Sequence, residues 1–160
     1  MAQNTGARTT AATTKTSSEP LVNERLVAAY FIASLAYMLI AMLAGVLFSL
    51  QMSGMYPLSG IELFSPGRWR LVHTNGVAYG FIANAFLGGL HWAVPRLSLR
   101  PVLNNKLSWF IFVAWQAILV ATVVGLLAGQ AQAVEWGETP VWVDPIALLG
   151  LVLVAINFLS

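Results

Sequence analysis

The sequence predicts an all-α membrane protein, a transmembrane helix bundle with three full spans and a partial fourth. Two observations carry this. Of 160 residues, 58% are hydrophobic and only 9% are charged, where soluble domains carry about 25% charged residues. The charges are also excluded from three long stretches, Leu26–Gln51, Leu71–Val94 and Leu107–Val134. With a mean hydropathy of +0.75, a soluble domain of this length has no way to hide its apolar side chains and keep a wettable surface. A soluble enzyme, a nucleic-acid-binding domain and a disordered chain are therefore excluded as descriptions of the whole. The absence of cysteine removes disulfides, thiolate metal sites and a Cys nucleophile.

At the N-terminus, residues 1–20 are rich in Thr, Ser, Ala, Gln and Asn, carry Arg8 and Lys15, and show no hydrophobic period; they read as a disordered cytoplasmic tail. No apolar run comes after those basic residues until Leu26, so the tail is not a signal peptide. Spans are expected at about 26–51, 71–94 and 107–131, each long enough for a hydrocarbon core that needs about 20 residues. The last apolar run, 146–160, falls short of a span and reads as an incomplete fourth helix. Backbone polar groups cannot be left bare in lipid, so the spans are helices. The apolar runs alternate too little for a membrane β-barrel.

Charge sets the expected orientation. With the N-terminus in the cytoplasm, Arg8, Lys15, Arg25, Arg96, Arg100 and Lys106 lie inside, and only Arg68 and Arg70 lie outside. The positive-inside rule favours that arrangement. The third connector then places Glu135, Glu138 and Asp144 outside. Trp69, Trp92, Trp109, Trp136 and Trp142 fall near span ends, where interfacial aromatics belong.

Two residues offer a neutral nitrogen suited to a metal, His73 and His91, both in the second span. An ionisable group inside a span is costly and so marks a candidate site. His73 lies three residues into the span, just below the outer surface. At 100° per residue, Gly76, Val77, Gly80, Asn84, Leu87, Gly88 and His91 fall within about 60° of it. On one reading, Gly76 and Gly80 leave a flat strip on which a haem ligated by His73 could lie. Arg68 and Arg70 would then meet its propionates through paired hydrogen bonds. On the other reading, the glycines pack two helices closely and His73 bonds a neighbouring carbonyl.

His91 lies about 27 Å further along the axis at 1.5 Å per residue. It reads either as the ligand of a second haem or as an interfacial polar residue. The chain holds no facing His, so the interfacial reading is adopted, and any haem at His73 takes its second axial ligand from elsewhere. The acidic third connector could help hold calcium, a hard cation that prefers oxygen, or could be a solvated loop. Gln116 and Thr122 read as interhelical hydrogen-bonding residues.

The run Arg68-Trp-Arg-Leu-Val-His73-Thr74-Asn75 resembles the second helix of haem-copper oxidase subunit I, most closely that of the cbb3-type, or C-family, cytochrome c oxidases. The likeness continues through Asn84, Trp115-Gln116, Glu135-Trp136 and Trp142-Val143-Asp144. The resemblance implies that His73 is an axial ligand of low-spin haem b and that Arg70 lies near its propionates. It also implies that Glu135 helps hold calcium beside a dihaem cytochrome subunit. The implied partners are membrane-anchored cytochrome c subunits and the remainder of subunit I, in a bacterial inner membrane. The implied chemistry is oxygen reduction fed by cytochrome c, with the high-spin haem and copper carried only by the complete subunit. Subunit I of this family has about three times this length and twelve helices. A fragment, a split subunit or a decayed copy is therefore expected, the fragment first. Nitric oxide reductase, which shares the helix-II His, is the alternative within the resemblance, and a non-enzymatic assembly or scaffold protein is the alternative outside it.

Overall fold

Asn23 starts the first helix, its side-chain oxygen accepting the Leu26 N–H at 3.2 Å, which satisfies one of the donors every helix start leaves open. The computed structural model describes residues 20–159, so the tail expected over 1–20 lies outside the described residues except for Pro20. From Asn23 the chain forms α1 (Glu24–Met52). One face of α1 buries Leu26, Tyr30, Ser34, Ala41 and Ala44, while Ile32, Leu35, Leu39, Leu43 and Val46 stand exposed on the other. Exposed large apolar side chains at helical spacing suit a lipid-facing surface.

A short 3₁₀ turn, Glu62–Phe64, precedes α2, and the Gln51 side chain ties it to the end of α1 by donating to the Phe64 carbonyl at 2.7 Å. Helix α2 (Pro66–Ser98) is 33 residues long. Pro66 opens it at a position where a missing N–H costs nothing. It begins before the uncharged run, so Arg68 and Arg70 are helical residues and not connector. Its middle, Gly76–Ile82, is π-helical, with the Ala83 N–H reaching back to the Ala78 carbonyl. It closes at Leu99, whose φ of 56° gives the left-handed stop common at helix ends.

His73, Gly76, Gly80, Gly88 and His91 share the face of α2 that meets α1, on both sides of the π segment. An added Cβ at Gly76 would stand 3.1 Å from the Ala41 side chain, one at Gly80 2.8 Å from Tyr37, and one at Gly88 2.9 Å from Tyr30. The strip expected to lie open beside the imidazole is therefore filled by α1, because small residues let two helix backbones approach. Ser34 adds a cross-helix bond to the Phe81 carbonyl at 2.9 Å.

Helix α3 (Asn105–Leu127) is capped by Asn104, whose side chain accepts from the N–H groups of Lys106 and Leu107. Helix α4 (Asp144–Phe158) has 15 residues, about 22 Å at 1.5 Å per residue, less than a hydrocarbon core of about 30 Å. No strand occurs among the described residues. The main core joins Leu26, Tyr30, Leu87, Trp115, Ile118, Leu119 and Val143, with Ala147 and Val154 of α4 packed against it. A smaller cluster of Ala44, Val72 and Leu126 lies towards the Arg68 end. Asn157 locks the opposite end. Fully buried, it accepts from the Asn104 N–H at 3.2 Å and donates to Ser108 Oγ at 2.7 Å, while its own carbonyl accepts from the Leu103 N–H.

Candidate functional site: a histidine at the seam of α1 and α2

His73 stands where α2 crosses the small residues of α1. Its Nδ1 lies 2.7 Å from the Ala41 carbonyl oxygen. A carbonyl only accepts, so Nδ1 carries a proton and donates, and in the neutral ring Nε2 keeps its lone pair. Gly45, one turn on from Ala41, makes room for the ring: an added Cβ there would stand 2.7 Å from Nδ1 and 2.8 Å from Cε1. The imidazole is thus fixed in tautomer by Ala41 and in position by Gly45. A histidine whose Nδ1–H is held by a backbone carbonyl is the arrangement that prepares Nε2 to bind a metal.

His73 is one of the residues that line a cleft of about 270 Å³, with Thr74, Val77, Ala78, Ile82 and Trp136. Trp136 reaches it from the third connector. The Gly137 N–H donates to the Val134 carbonyl at 3.0 Å, closing a tight turn in which Trp136 has φ 64°. Turns with positive φ at that position ordinarily take Gly or Asn, and a side-chain-bearing residue there costs about 1–2 kcal/mol. The Tyr79 hydroxyl, from the π segment, holds the turn by donating to the Trp136 carbonyl at 2.6 Å.

The two arginines separate. Arg68 donates to the Leu127 carbonyl at the end of α3 at 2.8 Å and pairs with Glu62, the only ion pair found among the described residues. Its guanidinium also packs against Gly129, where a Cβ would come within 2.9 Å of it. Arg68 is thereby committed to joining α2, α3 and the first connector. Arg70 is exposed and lines a second cleft with Gln132, Glu135 and Glu138. Of those carboxylates, Glu135 is exposed whereas Glu138 is buried, and the Asn75 side chain donates to Glu138 at 3.4 Å. Among the described residues no three His, Asp or Glu side chains gather into a metal cage.

His91 is a different environment. It is only 3% exposed, its Nδ1 donates to the Leu87 carbonyl of its own helix at 2.8 Å, and its ring stacks on Tyr30 and meets Phe158 edge-on. Its Nε2 is buried without a partner. The interfacial reading of His91 is corrected in one respect: the ring lies inside the bundle, while the neighbouring Trp92 is exposed and carries Arg96 stacked 4.4 Å over it.

Residues 25–160 match the family model for Cytochrome C and Quinol oxidase polypeptide I. The chain belongs to that family. It is 28% identical over 134 residues to cytochrome c oxidase subunit 1 of Rhodobacter capsulatus, covering 81% of this chain and 25% of the relative. Against the cbb3-type cytochrome c oxidase subunit CcoN1 of Stutzerimonas stutzeri it is 23% identical over 143 residues, covering 89% and 30%. A cytochrome c oxidase subunit 1 homolog of Agrobacterium tumefaciens (strain T37) is 28% identical over 113 residues, covering 70% and 21%. The chain thus spans about a quarter of the length of the curated relatives it matches. As a member of the oxidase polypeptide I family it is a multi-pass membrane protein, with three helices long and apolar enough to span, and a part of a haem-copper oxidase.

Several residues that build the His73 site are silent in the sequence. Ala41 and Gly45 are small residues one turn apart in a span that mixes Leu and Ala throughout, and such a pair is a helix-contact signal. Nothing in the spacing links them to His73. Tyr79 and Trp136 meet only through tertiary structure.

Proposed function

We propose that this chain supplies one face of the low-spin haem b site in a cytochrome c oxidase catalytic subunit of the cbb3 type, with His73 Nε2 as one axial ligand. The observation that carries this reading is the hydrogen bond from His73 Nδ1 to the Ala41 carbonyl. A neutral ring that donates from Nδ1 keeps a lone pair on Nε2, as a haem ligand requires, and His73 is among the residues that line a cleft. When bound, haem supplies one-electron chemistry. What this chain does is orient the ligand, through Ala41 and Gly45, and line the cleft with apolar side chains that limit water.

Arg70, exposed beside the acidic cleft, is the basic residue available to propionates, since Arg68 is already engaged by Glu62 and Leu127. Gly76 and Gly80 act through packing: they bring α1 close enough for its carbonyl to reach His73. Calcium held at Glu135 would need further oxygen ligands, because the ion prefers about six to eight. A second ligand for that haem, the high-spin haem and the copper would come from the remainder of subunit I or from a complementing polypeptide. Electrons arrive from membrane-anchored cytochrome c on the outer side, with the N-terminus in the cytoplasm of a bacterial inner membrane.

The test uses the membrane complex that contains this chain, purified with the polypeptides that accompany it. A pyridine haemochrome and a reduced-minus-oxidised spectrum are expected to show low-spin b-type haem, and His73→Ala is expected to remove that signal. An unchanged low-spin spectrum in His73→Ala would overturn the ligand assignment.

A further inference from the structure

Among the grooves, buried polar groups and strained turns of the molecule, one combination goes beyond the ligand itself. Trp136 is 63% exposed, yet its backbone is held in a conformation that a tryptophan adopts only when something outside the residue enforces it. Two contacts hold it there, the Gly137 N–H on the Val134 carbonyl that closes the turn and the Tyr79 hydroxyl on its own carbonyl. Tyr79 is itself carried by the π segment that begins three residues after His73, and π turns are frequent at functional sites. The outcome is an indole from a distant connector lining the same cleft as the imidazole. A solvated acidic loop has no use for that arrangement, because a glycine at position 136 would close the same turn without strain.

We infer that Trp136 is a wall of the cofactor cleft at His73, held there by Tyr79, and that it sets how far water reaches a planar, redox-active ring bound by that histidine. The inference rests on the proposed haem reading and adds a residue to it. Water stabilises the more highly charged, oxidised form of such a centre, so an apolar wall that excludes water raises its reduction potential. Trp136 would touch the cofactor, and Tyr79 is a positioning residue that acts through the Trp136 backbone.

The experiment compares Trp136→Ala, Trp136→Phe, Tyr79→Phe and His73→Ala in the same purified complex by spectroscopic redox titration. Trp136→Ala is expected to keep the low-spin spectrum but to shift the reduced-to-oxidised ratio at fixed ambient potential roughly tenfold towards the oxidised form, about 59 mV for a one-electron couple. Tyr79→Phe loosens the turn and shifts it in the same direction by less. Trp136→Phe retains a ring in the cleft and shifts it least. A merely structural role for Trp136 would alter the yield of complex and leave the midpoint where it was. Wild-type midpoints in both Trp136→Ala and Tyr79→Phe, with the signal lost in His73→Ala, would overturn the wall and keep the ligand. A signal that survives His73→Ala would instead overturn the haem reading on which the wall depends.

Discussion

The two histidines of α2 lie in one helix and differ in what surrounds them. Each donates from Nδ1 to a backbone carbonyl, His73 to Ala41 of the neighbouring helix and His91 to Leu87 of its own. His73 then lines a cleft with Trp136, whereas His91 is enclosed by Tyr30 and Phe158. The difference comes from the residues of α1 that oppose them. Opposite His73, α1 offers Ala41 and Gly45, and the ring sits beside their backbone. Opposite His91 it offers Tyr30, whose ring fills the space. On the proposed reading of His73, a ligand site and a packing site share one helix and one residue type, and the residues of α1 make the difference between them.

The sharpest way to break this contrast is the same substitution at both positions. His73→Phe is expected to abolish the low-spin haem signal, since phenylalanine has no lone pair to offer, while His91→Phe is expected to leave it intact. Difference spectroscopy of the two purified complexes decides the matter. Loss of the signal in both would mean that His91 also serves a cofactor.

Next in size is Gly45→Ala. The added methyl meets the imidazole at 2.7 Å, closer than carbon and nitrogen tolerate, so either the ring or α1 must move. Either movement stretches the bond to Ala41 and misdirects Nε2. Haem content is expected to fall several-fold, while Gly89→Ala, in open space, serves as the control and leaves it unchanged. Equal haem content in the two variants would show that the seam does not orient His73.

The helices and their order were legible in the sequence because lipid imposes a plain rule: long uncharged runs become helices. His73 was legible because a polar side chain in such a run stands out. The arrangement around it was not. A 3.6-residue wheel puts Gly76 and Gly80 on the side of His73 but does not say what meets them there, and both glycines pack on α1. Composition grouped Arg68 with Arg70, and only the fold shows Arg68 bonded to Glu62 and to the end of α3 while Arg70 stays exposed. It likewise grouped Glu135 with Glu138, which differ in burial, the buried one standing beside Asn75.

A smaller effect tests whether the His91 end is held as firmly as its packing suggests. Asn157→Ala removes the acceptor of the part-buried Asn104 N–H and the donor to Ser108 Oγ. Ser108 keeps its own bond to the Asn104 carbonyl, so the main loss is the bonds of the buried Asn157 side chain, about 1 kcal/mol each. Thermal unfolding in detergent is expected to show that loss with the haem spectrum unaltered. No change in stability would mean that water reaches this end of the bundle.

The smallest effect concerns the stability of His91→Phe. The native ring keeps one buried nitrogen without a partner, a penalty of about 1–3 kcal/mol that phenylalanine does not carry. Phenylalanine gives up the bond to the Leu87 carbonyl, worth about 1 kcal/mol. That carbonyl keeps its helical partner, the N–H of residue 91 itself, so no new orphan appears. The stacking on Tyr30 and the edge contact with Phe158 survive the exchange, because both depend on a flat ring of similar breadth. The balance is neutral to favourable, and unfolding is expected within about 1 kcal/mol of wild type or slightly above it. His91→Ala, which vacates the space between Tyr30 and Phe158, is expected to lose about 2 kcal/mol or more. If His91→Phe were the less stable of the two, the free nitrogen would have to be bonded in the working protein, and the enclosed histidine would need a partner from outside this chain.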